Sequence, residues 1–119
     1  MSSTYPFKIA AAKAPADTAR QFVILADLSE LDDYTQVFEN HGYGGYGPSW
    51  REHIETIIEE FQPELLEHLE FDEEDAAFLA YADSLAAVRQ FMALVLPQFG
   101  DLGKLHKYLS QTDPGDFFE

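Results

Sequence analysis

Four histidines, twenty-two carboxylates and one glycine- and tyrosine-rich segment are the parts of this 119-residue chain that could do chemistry. His41, His53, His68 and His106 are scattered, and no two have the His-x-x-x-His spacing that sets a pair of imidazoles on one helical face for zinc. Each reads as a surface or half-buried histidine, and no metal ligand is assigned. Asp72-Glu73-Glu74-Asp75 has the charge of a cation site without the alternating oxygen ligands or central glycine of a calcium loop, so it reads as a solvated turn. The segment Gly42-Tyr43-Gly44-Gly45-Tyr46-Gly47-Pro48 leads into Ser49-Trp50, where a phosphate loop would have Lys-Ser or Lys-Thr. A helical pattern precedes it, not the strand of a dinucleotide fold. No serine has a histidine partner in its sequence context, and there is no cysteine to serve as nucleophile, thiolate ligand or disulfide partner. Carboxylates joined only by folding could still act as an acid–base pair. As they stand, the residues give no catalytic group, no metal and no cofactor, and the chain reads as a non-enzyme that works by binding.

Charge narrows the partners. Twenty-two Asp and Glu against seven Lys and Arg leave a formal net charge of -15. Nucleic acid and anionic membrane both need a basic footprint, so both are excluded as partners. A basic macromolecule is favoured, and long-range attraction would speed its encounter. The charge is also unevenly spread. Between Arg51 and Asp75 lie eleven acidic residues, half the total in about a fifth of the chain. No apolar run approaches the roughly 20 residues needed to span a bilayer. Met1–Lys13 lacks the basic start and apolar run of a secretion signal, which together with the missing cysteines points to the cytoplasm.

The elements that must carry these groups follow from periodicity. Tyr5, Phe7 and Ile9 alternate as in a strand, Ala14-Pro15-Ala16-Asp17 reads as a turn, and Phe22–Ala26 as a buried strand completing a hairpin. Ser29 with Asp32 suggests a capped helix through Leu31, Tyr34, Val37 and Phe38, stopped at Gly42. Ser49 with Glu52 suggests a capping box for a helix whose apolar stripe is Trp50, Ile54, Ile57, Ile58 and Phe61. Pro63 breaks that helix, and Leu65, Leu66 and Leu69 follow in a shorter one. Phe71–Asp75 reads as a short strand or turn, and Ala76–Ala82 as a strand. Ser84 caps a helix over Leu85–Leu96 that Pro97 and Gly100 close. Leu102, Leu105 and Leu109 mark a last helix, before an acidic, aromatic tail at 116–119 whose two phenylalanines could dock on the body. The prediction is one α+β domain over residues 1–119, with a small, mostly antiparallel sheet of about three or four strands covered by about four or five helices.

Two features suit partner binding. Glu52, Glu55, Glu59 and Glu60 lie on the polar side of the Trp50 helix, and Glu55 and Glu59 repel at i,i+4 spacing in a way that a basic partner would relieve. Tyr43 and Tyr46 stand among glycines, and large aromatics carry much of the energy of protein interfaces. Trp50 falls on the apolar stripe and is assigned to the core, while the tyrosines suit either role. The partner-binding residues read from the sequence are therefore Tyr43, Tyr46, Glu52, Glu55, Glu59 and Glu60.

The stretch Val37–Trp50 resembles the immunity protein 51 family of bacterial polymorphic toxin systems, whose loop has the form Gly-Tyr-x-Gly-Asn-Gly-Tyr-x-Trp. Gly42, Tyr43, Gly45, Gly47 and Trp50 match, as does Pro63-Glu64-Leu65-Leu66 beyond the next helix. Phe71-Asp72 and Phe78-Leu79-Ala80-Tyr81 are similar to the family's strand region, so the likeness runs from about residue 22 to 110. Tyr46 stands where the family has Asn, and Pro48 where it has an aromatic. If those side chains touch a toxin, this member recognises a different one. The resemblance implies an α+β protein that binds and neutralises a cognate toxin. The acidic cluster adds that the toxin would be basic. An acidic scaffolding or regulatory module is the alternative, and nothing in the sequence fixes the oligomeric state.

Overall fold

A computed structural model describes residues 4–11, 21–72 and 74–112 of the chain, and the statements below concern those residues. The protein is α+β. Four antiparallel strands, β1 (Lys8–Ala11), β2 (Phe22–Asp27), β3 (Leu69–Asp72) and β4 (Ala77–Ala82), form one sheet in the order β1-β2-β4-β3. The helices are α1 (Asp32–Asn40), α2 (Gly47–Phe61), α3 (Leu85–Phe99) and α4 (Leu102–Ser110), with short 3-10 segments over Leu28–Glu30 and Pro63–His68.

Strand alternation decides which face of the sheet is covered. Ile24 pairs with Ala80 and Ala26 with Phe78, and all four are buried beneath helices. The opposite face presents Val23 beside Tyr81 and Leu25 beside Leu79, all only half-buried. β2 and β4 are the apolar central strands. The edge strands β1 and β3 are four residues long and carry Lys8, Glu70 and Asp72, and short charged edges of this kind resist pairing with other chains.

The core is aromatic. Phe7 meets Phe78, Phe91 and Trp50 edge-on at centroid distances of 5.3–6.0 Å, and Trp50 packs against Tyr34, Phe38 and Phe99 at 5.1–5.7 Å. The edge-on contacts of Phe7 set positive ring edges against negative faces, while Trp50 meets its neighbours Tyr34, Phe38 and Phe99 at tilted angles. Tyr34 reaches through this cluster so that its hydroxyl donates to the Phe99 carbonyl at 2.9 Å.

Several boundaries differ from the sequence expectation. β1 starts at Lys8, because Tyr5 and Pro6 form a turn in which the Phe7 N–H donates to the Thr4 carbonyl. Ser29 does not cap α1. Its amide and hydroxyl both donate to the Asp27 carboxylate, which lowers the pKa of that group, and α1 begins at Asp32 with no side-chain cap. Ser49 does not cap α2 either, since the helix starts two residues earlier at Gly47. Pro97 lies inside α3, which continues to Phe99. Ser84 does cap α3, accepting from the Ala87 amide at 3.1 Å. The expected turn at 14–17 and the tail at 116–119 lie outside the described residues.

Candidate protein-binding face

The glycine-rich segment is a fitted joint between helices. Gly42 ends α1 at φ 88 and Gly45 takes φ 76, backbone conformations that side chains with a Cβ adopt only under strain. At Gly45 an added Cβ would come within 3.1 Å of Thr35 Cγ2, and at Gly47 within 1.7 Å of the Glu74 carbonyl oxygen and 2.5 Å of that of Ala77. Gly47 is thus pressed against the turn between β3 and β4, and its N–H donates to the Asp75 carbonyl at 3.0 Å. A helix begins with amide hydrogens that have no partner inside it. Here one of them is taken by Asp75, and Pro48 in the first turn has none to satisfy. The distant turn thus takes the first amide of α2, while the Glu52 amide that the Ser49 hydroxyl was expected to cap lies within the helix. Ser49 is fully buried, and its Oγ has no hydrogen-bond partner among the described residues.

The joint sorts the aromatics. Tyr43 is only 3% exposed. Its ring stands edge-on to His53 at 4.5 Å, its amide donates to the Phe38 carbonyl, and its hydroxyl shares a hydrogen bond with Thr112 Oγ1. In this conformation it offers a partner no ring surface. Trp50 is fully buried, as its place on the apolar stripe indicated. Tyr46, at the N-cap of α2, is 57% exposed. Because its neighbour Gly47 sits under Glu74 and Asp75, Tyr46 stands beside the acidic β3–β4 turn.

From Tyr46 the polar side of α2 runs toward Phe61. Glu59 and Glu60 are exposed, while Glu52 and Glu55 are half-exposed. Glu55 is held by Arg51 at 2.5 Å, and the Arg51 guanidinium lies 5.5 Å from the centre of the Phe71 ring. Glu60 and the 60%-exposed Phe61 border a recess of about 280 Å³ that Tyr108 and Thr112 close on the α4 side. The face thus combines exposed carboxylates with one exposed aromatic at each end of a helix about 22 Å long.

The histidines take three different places. His53 is buried in the aromatic core with its Nδ1 2.9 Å from the Tyr108 hydroxyl, and burial pulls its pKa down to about 4. His68 lies at the surface, where the Asp83 carboxylate 2.7 Å away raises its pKa. His41 and His106 meet each other, with Nε2 and Nδ1 3.0 Å apart. No spacing rule could have revealed that pair, since 65 positions separate them. Among the described residues no group of three or more His, Asp or Glu is placed to hold a metal ion, and no helix is long and apolar enough to cross a membrane.

The family model of immunity protein 51 matches residues 16–114, which is most of the chain. The chain belongs to the immunity protein 51 family. No match was found among curated proteins or among solved structures.

Proposed function

We propose that this protein neutralises a cognate bacterial toxin by binding it directly in the cytoplasm, with no catalysis of its own. Family membership supports the toxin partner. The observation that carries the mode of action is the exposure of Tyr46 between two acidic elements, the β3–β4 turn and the outer side of α2. Tyr46 supplies a large, stiff ring at little cost in conformational entropy, and the carboxylates around it supply steering and register. Glu52, Glu55, Glu59 and Glu60 form the electrostatic part of the contact, and Tyr43 supports it from below by fixing the loop. Such a face fits a basic toxin surface. The cleft of a nuclease, which must be basic to hold phosphates, is the chemistry it would best occlude.

Co-expression with the product of the adjacent gene, as the candidate toxin, tests this reading. Host survival together with a one-to-one complex on a sizing column is the expected result. A toxin that kills regardless, or a host rescued with no complex formed, would overturn direct neutralisation.

A further inference from the structure

His41 directly follows α1, and His106 lies in the middle of α4. Packing of α1 against α4 brings His41 Nε2 to 3.0 Å from His106 Nδ1, with ring centroids 4.8 Å apart and ring planes inclined at 54°. A straight N–H···N hydrogen bond of this length would hold the ring centres about 5.3 Å apart, since each nitrogen lies about 1.15 Å from its ring centre. The observed spacing is shorter, so the two ring axes are not collinear. An ion placed about 2.05 Å from both nitrogens, the usual metal–imidazole distance, would subtend about 94° and set the ring centres about 4.7 Å apart. The spacing found, 4.8 Å, is compatible with both nitrogens facing one ion.

We infer that His41 and His106 chelate a divalent transition-metal ion of the imidazole-preferring kind, Cu²⁺ ahead of Zn²⁺. The ion takes the place of the proton the two nitrogens would otherwise share. Each ring then carries its remaining hydrogen on the far nitrogen, His41 on Nδ1 and His106 on Nε2. Both side chains have access to solvent, His106 being exposed and His41 half-buried, so an ion can enter without disturbing the core. No third His, Asp or Glu among the described residues joins them, so water completes the coordination shell. The nitrogen-only pair favours Cu²⁺, which leads the affinity order for imidazole sites. The chelate would clamp the end of α1 to α4 just where the chain enters the glycine joint, because His41 is the residue before Gly42. An ion held only by the folded arrangement stabilises it.

The test uses the full chain without a histidine tag, stripped by a chelator and titrated with CuCl₂, ZnCl₂ and MgCl₂ in a calorimeter. One Cu²⁺ should bind per chain, with weaker Zn²⁺ and no Mg²⁺ binding, and the bound copper should show two nitrogen donors by electron paramagnetic resonance. Copper should also raise the urea midpoint. His41→Gln and His106→Gln should each weaken copper binding at least about tenfold, since losing even an outer-shell partner costs roughly 10–100-fold. His68→Gln should leave it unchanged. Both substitutions are at solvent-accessible positions, and the metal-free urea midpoint checks that each variant folds. Absence of copper binding, binding that survives both glutamine variants, or binding lost only with His68→Gln would overturn the assignment.

Discussion

Gly47 has no room for a methyl group, because its Cβ position lies 1.7 Å from one carbonyl oxygen and 2.5 Å from another. Gly47→Ala should therefore force the β3–β4 turn off α2 and cost about 3 kcal/mol, the upper end for an overpacked site. Gly103→Ala is the matched control, as its Cβ would meet only Asp101 Oδ1 at 3.4 Å, and alanine suits α4 better by up to about 1 kcal/mol. Urea unfolding of the two variants checks both values. The sequence marked Gly47 as part of an unusual glycine-rich run but not why it is needed, since the oxygens that exclude a side chain there come from residues 74 and 77. His53 gives a second prediction at this scale. Its folded pKa of about 4 lies below the ordinary 6.5, so it takes up a proton on unfolding between those values. Stability from its burial is complete above about pH 6.5 and is lost as pH falls toward 4, by up to about 3 kcal/mol. His68 acts in the opposite sense: its raised pKa favours the fold at low pH, and that contribution fades as pH rises through the raised value. Urea midpoints measured from pH 7 to 4.5 should fall less steeply in His53→Gln than in the native chain.

At the scale of the element, most of the apolar stripes were legible, and of the three serine caps read from the sequence only Ser84 holds. Trp50, Ile54, Ile57 and Ile58 recur at helical spacing and are buried, whereas Phe61, read as the last residue of the same stripe, is exposed at the end of α2. The Ser-x-x-Glu pattern at Ser49 and Glu52 was equally clear, yet α2 is started by a carbonyl 28 positions further along the chain. The tertiary contact satisfies the Gly47 amide, and because the helix already starts there, the amides Ser49 would cap lie inside it; sequence shows only the local pattern. The two serines therefore predict opposite outcomes. Ser84→Ala removes the α3 cap and should cost about 1 kcal/mol. Ser49→Ala removes a buried hydroxyl that has no partner among the described residues, and should be neutral or stabilise by up to about 1 kcal/mol. Thermal unfolding of both variants separates a true cap from an apparent one.

At the scale of the whole molecule, charge distribution and fold class could be read directly, because both are sums over many residues. Which aromatic faces outward could not. Tyr43 and Tyr46 sit in similar glycine-rich surroundings, but the turn after α1 sends one ring into the core and the other to the surface. Half of the acidic residues fall in the stretch from α2 to the β3–β4 turn, and folding brings the two ends of that stretch together beside Tyr46. Local repulsion among these carboxylates is the condition a basic partner would relieve. Binding should therefore weaken with salt, as surface charge pairs do when screened.

The most direct measurement is the affinity of the purified toxin complex for three chains: native, Tyr46→Ala, and the double charge reversal Glu59→Lys with Glu60→Lys. Tyr46→Ala should weaken binding at least about tenfold, as loss of an interface anchor does, with an unchanged urea midpoint. The charge reversal should slow association and flatten its dependence on salt. Affinity left intact by both changes in folded protein would contradict the assignment of this face as the one that holds the toxin.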